Sequence, residues 1–409
     1  MRNRIKEICD YISRGAAPDY VDESPNKVMN QATFSKGYID ESNVRFSSKN
    51  PGYAQIHKGD LLMASTGGGV LGKVVYFDKN ENDFYADSHV SILRNSKGKN
   101  SMKFLYYWFS TRYDEINATM VKGSTNQTEL QRDYLLNYEI DIPGLEVQQR
   151  VVSYLDEKTG KIDRVVALLE KKREAYVRLK TSLINRVVTR GLDPSVAMRP
   201  SGIDWLGDIP AHWSVRRIKD LGDLGSGTTP KSSNNDYYED GIHPWLNTGC
   251  VQNCIIEEPA KHVTDLALKE CKGLKFFPKD TILVAMYGGG TIGNVGLMGF
   301  PSTINQACCA VTINYNNLPK YIFYALMAQN KKLVSLGFGG TQVNLSQGQI
   351  ANFIISIPPL EEQRAIAAYL DEKCGAIDAA IEITGKQIDA YKRLKRSLIN
   401  EVVTGQRAV

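Results

Sequence analysis

No stretch of the 409-residue chain reaches the ~18 uninterrupted apolar residues that a membrane-spanning helix needs. The opening segment, MRNRIKEICDYISRG, has no long apolar core of the kind a secretory signal carries. We therefore expect a cytoplasmic protein with no membrane partner. Cysteine is sparse: seven residues, an odd number, with six in the second half. That distribution argues against a disulfide framework. Cys250-x-x-x-Cys254 has no second Cys/His pair at zinc-ligand spacing, so buried thiols are the expectation and no metal site is assigned. The five histidines are scattered. Enzymatic signatures are missing too: there is no HExxH, no kinase HRD or DFG, and no [ND]PP[FY] of the amino-methyltransferase type. Asp156-Glu157-Lys158 and Asp371-Glu372-Lys373 have a nuclease-like D-x-K spacing, but no Pro-Asp lies close upstream of either, and surface charge is the simpler reading. Charge of one sign is not in large excess: 50 basic and 45 acidic residues leave +5. With 42% hydrophobic and 23% charged residues, the chain can bury real cores, and its length suggests two or three domains.

What the chain does contain is itself, twice. Residues 142–189 (IPGLEVQQRVVSYLDEKTGKIDRVVALLEKKREAYVRLKTSLINRVVT) align without a gap to residues 357–404 at an offset of 215, with 26 identities in 48 positions. Upstream the similarity is weaker but ordered. GGGVLGKV from Gly67 matches GGGTIGNV from Gly288, Gly123-Ser-Thr125 matches Gly339-Gly-Thr341, and RIKEICDYISRG from Arg4 resembles RIKDLGDLGSG from Arg217. A long unit used twice is a tandem domain duplication rather than a solenoid.

The similar segments are helical. Leu155, Ile162, Leu169, Tyr176 and Leu183 recur every seven residues, flanked by Val165, Val166, Leu179 and Val187. The second copy offers Leu370, Ile377, Tyr391 and Leu398, with Thr384 interrupting the line. Such a stripe is the seam of a coiled coil, and two seams in one chain can close on each other as an antiparallel pair. Gly160 and Gly375 are expected to separate a short helix from a long one. Residues 162–189 would span roughly 42 Å at ~1.5 Å per residue. The dissimilar segments look mixed α/β, with strands at Gly72–Phe77, Ile282–Tyr287 and Ala310–Asn314 and helices near Met102–Thr111 and Pro319–Ala328. Residues 191–215 read as a surface linker carrying Trp205 and Trp213.

Both glycine-rich segments satisfy GxGxxG, but a dinucleotide site needs a helix to begin there, and KVVYF and NVGLM are strand-like. The P-loop reading fails because Val74 replaces the hydroxyl residue and Asn294 stands where the other copy has Lys73. A tight turn with bare backbone suits close approach to something, a phosphate backbone among the options; a plain hairpin turn is the bland alternative. The segments Lys122–Gln127 and Gly337–Gln342 pair small residues with amides, which suit base edges, while hydroxyl and N–H groups suit phosphates. The candidate DNA-contacting residues are Thr66, Gly68, Lys73, Lys122, Ser124, Thr125, Asn126 and Gln127 in the first half. In the second they are Gly289, Thr291, Asn294, Gly340, Thr341 and Gln342.

Two copies of IP.LE.Q….YLDEK.G.ID followed by AY.RLK.SLIN.VVT, together with GIDWLGDIPAHWSVRRIKDL and GGTQVNLSQGQIANFIISIPPLEEQR, resemble the specificity subunit of type I DNA restriction-modification enzymes. The first half opens without the GxxWLGxIPxHW lead-in of the second. The resemblance covers nearly the whole chain. It implies an α+β protein in which two mixed α/β target-recognition domains (1–145 and 216–360) are separated by two long helices (146–190 and 361–405). The helices would form an antiparallel coiled coil with an internal pseudo-two-fold repeat, and 191–215 would be the linker. It further implies a non-catalytic subunit that reads a bipartite, asymmetric target in double-stranded DNA and docks two methyltransferase (modification) subunits, with motor-nuclease (restriction) subunits joining. S-adenosylmethionine, ATP and Mg²⁺ would belong to those partners, with no cofactor on this chain. The duplicated helical residues Glu146, Gln148, Arg178 and Lys180, and Glu361, Gln363, Arg393 and Lys395, are the expected partner-binding set. A stand-alone DNA methyltransferase and a coiled-coil scaffold without DNA contact are the rival readings.

Overall fold

The computed structural model describes residues 2–122, 128–288, 290–338 and 343–409. The chain divides into two compact units: Met1–Glu170 with Gly385–Val409, and Lys171–Thr384. Two long helices, Leu145–Arg190 and Leu360–Val403, each contribute one part to each unit. Gly160 and Gly375 interrupt neither helix. A helical glycine costs about 1 kcal/mol against alanine, and packing of the neighbouring seam residues Leu155 and Leu370, both fully buried, outweighs it.

In the first unit, Tyr11–Arg14, Val90–Arg94, Leu61–Ala64 and Val74–Tyr76 form an antiparallel sheet in that order. A second sheet runs Tyr20–Val21, Arg45–Ser47, Lys27–Met29 and Phe84–Ala86, its last pair parallel. The central strands Leu61–Ala64 and Val90–Arg94 are buried, apart from the half-buried Arg94, because both of their faces are covered. Leu61, Met63 and Leu93 pack on the helix Met102–Ser110, while Leu62, Ala64 and Ile92 join Met29, Phe34 and Phe77 on the other side. The start of the first long helix (Val151, Leu155, Ile162) shares this core with the end of the second (Leu398, Ile399, Val402, Val403).

The second unit repeats the plan. Gly222–Ser226, Cys308–Ile313, Ile282–Ala285, Val295–Met298 and Cys254–Ile256 form one sheet. Lys261–Val263, His243–Leu246, Ser302–Ile304 and Phe276–Phe277 form the other. The helix Pro319–Ala328 covers the first sheet, and Ile184, Val187 and Val188 meet Ile366, Leu370 and Cys374 in one core. The segment expected to be a surface linker stays largely exposed but is anchored to this unit's core by a few buried residues. Met198–Pro200 pairs with Asp208–Pro210, Trp205 stacks on Phe353, and Trp213 is buried with its Nε1 donating to Glu362 at 3.0 Å.

Within each unit the helix segments run antiparallel and share one duplicated ion pair, with Glu170–Lys392 adding a second in the first unit. Asp163 meets Lys395 at 2.7 Å in the first and Asp378 meets Lys180 at 2.6 Å in the second. The offset of 215 turns one pair into the other. Such half-exposed pairs contribute at most ~1 kcal/mol each, so they set register more than stability. Thr384, which breaks the stripe on paper, is buried, and its hydroxyl donates to the Ala380 carbonyl at 2.7 Å, so the helix satisfies it internally. Leu179, grouped with the stripe by spacing, is exposed. The cysteines are all free. Cys9, Cys308, Cys309 and Cys374 are buried as expected, whereas Cys254 is exposed. Burial pushes the thiols of Cys9, Cys308 and Cys309 up to about 12. No helix among the described residues is long and apolar enough to cross a membrane.

Candidate nucleic-acid interface

Each glycine-rich segment is the turn of an antiparallel hairpin. Leu61–Ala64 returns as Val74–Tyr76 with Met63 opposite Val74, and Ile282–Ala285 returns as Val295–Met298 with Val284 opposite Val295. Among the described residues no helix starts at either turn, so neither presents the helix N-terminus that a dinucleotide or P-loop site requires. The turn is closed by Gly72 N–H donating to the Ala64 carbonyl and Gly293 N–H to that of Ala285, each at 2.8 Å.

Two kinds of glycine share the turn. Gly72 (φ +85°) and Gly293 (φ +73°) face the helices behind them: a Cβ would come within 2.8 Å of Ile116 Cγ2 and 2.3 Å of Val334 Cγ2, respectively. Gly68 is exposed, and a Cβ there would meet nothing within 4 Å. Gly72→Ala and Gly293→Ala are expected to destabilise their units by about 2 kcal/mol or more, combining positive-φ strain and overpacking. Gly68→Ala should leave the melting temperature unchanged and alter only the approach of a ligand. Thermal unfolding of the three variants checks this; equal losses at all three would contradict it.

The turns and the amide-rich segments, far apart in sequence, come together. Leu130 N–H donates to the Ser65 carbonyl at 2.8 Å, and Leu345 N–H to that of Met286 at 2.9 Å. Each segment thus re-enters the fold at the base of its glycine turn. Ser124, Thr125, Asn126, Gln127, Gly289, Gly340, Thr341 and Gln342 lie outside the described residues, as does the side chain of Lys122, whose backbone pairs with Glu129.

Several candidate side chains have internal partners. Lys73 Nζ donates to the Ser35 carbonyl at 2.6 Å. Thr291 Oγ1 donates to the Tyr287 carbonyl at 3.3 Å. Asn294 Oδ1 accepts from Asn253 Nδ2 at 3.2 Å and Asn330 Nδ2 at 3.5 Å, a bridge from the turn to the helix Asn330–Ser335. Thr66 Oγ1 lies 2.7 Å from His89 Nδ1 and donates to Gln31 Oε1 at 3.1 Å. Sequence patterning singles out neither Gln31 nor His89; only contact across 35 and 23 residues of chain reveals them. Nearby, the Tyr20 phenol donates to Asp87 at 2.8 Å, and burial first, then that carboxylate, raises its pKa.

The expected partner-binding residues separate into three groups. Glu146, Arg178, Glu361 and Arg393 are exposed. Lys180 and Lys395 are the cations of the two duplicated interhelical ion pairs. Gln148 and Gln363 are buried and cannot meet a partner; this corrects the sequence-based assignment. Gln148 Oε1 accepts from Ser101 N–H at 2.8 Å, and its Nε2 donates to Asn100 Oδ1 at 3.0 Å and the Pro143 carbonyl at 2.8 Å. Gln363 repeats the clasp with Leu318 N–H, Asn317 Oδ1 and the Pro358 carbonyl at 2.8, 3.2 and 2.9 Å. These amides are duplicated because they join helix to sheet domain identically in both units. Asp156 and Asp371 of the D-x-K segments act likewise, the first holding Lys103 and Tyr107, the second Lys320 and Tyr324. Burial first, and then the carboxylates, raise both tyrosine pKa values. Among the described residues no three His, Cys, Asp or Glu side chains cluster as a metal ion would need.

Known proteins are similar to this chain in sequence and in fold. The EcoR124I/EcoR124II specificity subunit of Escherichia coli is 22% identical over 338 residues, covering 76% of this chain and 75% of that protein. The MjaVIII specificity subunit of Methanocaldococcus jannaschii is 24% identical over 312 residues, covering 75% and 70%. In fold, the chain is similar to one from a type I restriction-modification system solved for its complex assembly and conformational transition (TM-score 0.72, 17% identity, 98% and 97% covered). The HsdS subunit of Thermoanaerobacter tengcongensis gives a TM-score of 0.50 at 17% identity, with 100% and 97% covered. Residues 2–174 and 210–390 match the type I restriction modification DNA specificity domain, once for each unit's sheets and the start of its helix, and the chain belongs to that family of type I restriction-enzyme specificity subunits.

Proposed function

We propose that this chain is the non-catalytic, DNA-reading scaffold of a type I restriction-modification complex. Each unit reads one half of a bipartite, asymmetric target in double-stranded DNA, presenting its glycine turn and adjoining amide-rich segment to the major groove. The long helices set the interval between half-sites and dock two methyltransferase subunits, to which motor-nuclease subunits are added. S-adenosylmethionine, ATP and Mg²⁺ belong to the partners, and the complex works in the cytoplasm.

The observation that carries this reading is what the duplication keeps on the helices. At 100° per residue, Asp163, Lys180, Asp378 and Lys395 lie on one flank of the seam. Leu168, Leu179, Ile383 and Leu394 lie on the opposite flank, where they are 67%, 52%, 57% and 52% exposed. The offset of 215 relates Leu168 to Ile383 and Leu179 to Leu394. At the duplicated positions each unit therefore carries two exposed aliphatic side chains on the flank away from its ion pair: Leu168 and Leu394 in the first, Leu179 and Ile383 in the second. Equivalent apolar positions left open twice suit two copies of one partner. The exposed Glu146, Arg178, Glu361 and Arg393 would supply the polar rim.

The test is a purified chain assayed alone and with its methyltransferase subunit, using labelled S-adenosylmethionine and duplex DNA. The chain alone should transfer no methyl groups, and the complex should methylate adenine in one bipartite sequence. Methyl transfer by the chain alone, or a complex indifferent to sequence, would overturn the reading.

A further inference from the structure

The internal duplication allows the two units to be compared hydrogen bond by hydrogen bond around the glycine turn. The backbone frame is the same. Asn30 and Asn247 each cap a 3-10 turn. Asp87 N–H donates to the Met29 carbonyl at 3.0 Å, as Asn305 N–H does to that of Leu246 at 2.9 Å. Ser65 N–H donates to the His89 carbonyl at 2.8 Å, as Met286 N–H does to that of Ala307 at 2.8 Å. These pairs make Gln31 equivalent to Thr248, Thr66 to Tyr287, and His89 to Ala307. All three positions border the turn, and at all three the side chains differ while the frame beneath them does not. In the first unit they form one chain, Gln31–Thr66–His89. In the second, Tyr287 is exposed at the position of Thr66.

A frame held constant beneath changed outward side chains is what reading two different half-sites requires. We infer that Gln31, Thr66 and His89 form a base-reading cluster that sets base identity within the first unit's half-site, and that Tyr287 belongs to its counterpart in the second. The inference rests on the DNA-reading function proposed above. The chemistry of the cluster is specific. With the Thr66 proton directed to Gln31 Oε1, the imidazole donates from Nδ1, and its Nε2 is left as an acceptor. The two Nε2 protons of Gln31 remain donors. The amide lies over the turn: a Cβ on Gly67, whose φ is +98°, would fall 2.8 Å from Gln31 Nε2 and push the amide aside. An edge with both an acceptor and a donor, as adenine presents through N7 and N6 in the major groove, is the complement. Thr66 positions the amide rather than contacting the base.

Methylation of a duplex library by the complex with its methyltransferase subunit tests this. Gln31→Glu keeps the acceptor for Thr66 but removes the amide donors. It should weaken discrimination at one A·T pair of one half-site about 10- to 100-fold, leaving spacer and other half-site unchanged. His89→Ala, at an exposed position, should relax the same half-site and serves if the first variant fails to fold. Tyr287→Ala should act on the opposite half-site. Unchanged discrimination in a folded Gln31→Glu or His89→Ala complex would overturn the cluster, as would Tyr287→Ala acting on the same half-site as Gln31→Glu. A parent complex without any bipartite target would instead overturn the underlying function.

Discussion

Leu168→Glu combined with Leu394→Glu should convert a complex of one chain and two methyltransferase subunits into a one-to-one complex. Adding Leu179→Glu and Ile383→Glu should release the second subunit and abolish methylation. The isolated chain should tolerate the changes. All four positions are exposed, glutamate is a good helix former, and exposed substitutions of this kind usually stay within about 0.5 kcal/mol. A carboxylate introduced at Leu168 would also fall four residues from Arg164 and from Lys172, a favourable spacing on a helix. In the complex, each buried leucine is worth about 1.5–3 kcal/mol. Two lost per site correspond to roughly 3–6 kcal/mol, a weakening of more than 100-fold. Native mass spectrometry of the purified mixtures reads the outcome. Two methyltransferase subunits retained by the quadruple variant would place the docking surface elsewhere.

Lengthening both long helices by seven residues should leave both half-sites intact and widen the spacer by about three base pairs. The insertions would go between Lys171 and Arg178 and, at the equivalent point, between Lys386 and Arg393. Seven residues keep the stripe in phase and add roughly 10 Å at ~1.5 Å per residue, against the ~34–36 Å that a DNA turn occupies. Matching matters. The ion-paired residues Asp163 and Lys180 are separated by the same interval as Asp378 and Lys395, so an insertion in one helix alone leaves two unequal lengths to be paired. The one-sided variant should lose stability and activity. Matched four-residue insertions should shift the stripe and also destabilise. Methylation mapping of the matched seven-residue variant decides the matter: an active complex that keeps the original spacer would show that the helices do not set the interval.

Much of this architecture is local and periodic, and to that extent it can be read from the order of residues alone. The offset of 215 announces two equivalent units, the seven-residue stripe announces two paired helices, and glycines between β-rich runs announce hairpin turns. Each depends on neighbours a few residues away, so no long-range contact is needed to recognise it. The roles of individual side chains were settled by folding. Gln148 and Gln363 are as strongly duplicated as any exposed residue, yet each is a buried clasp, because the carbonyl and N–H groups they satisfy arrive from the sheet domain. Lys180 and Lys395 point to aspartates on the other helix rather than to a partner. Trp213 leaves the apparent linker for the core because Glu362, 149 residues away, receives its indole N–H. Gln31, Thr66 and His89 are ordinary residues in three separate segments and become one cluster only when two sheets bring them to the same turn. A repeated sequence preserves whatever both copies require, whether a core contact or a docking contact. Which of the two a residue serves depends on the groups that folding places around it.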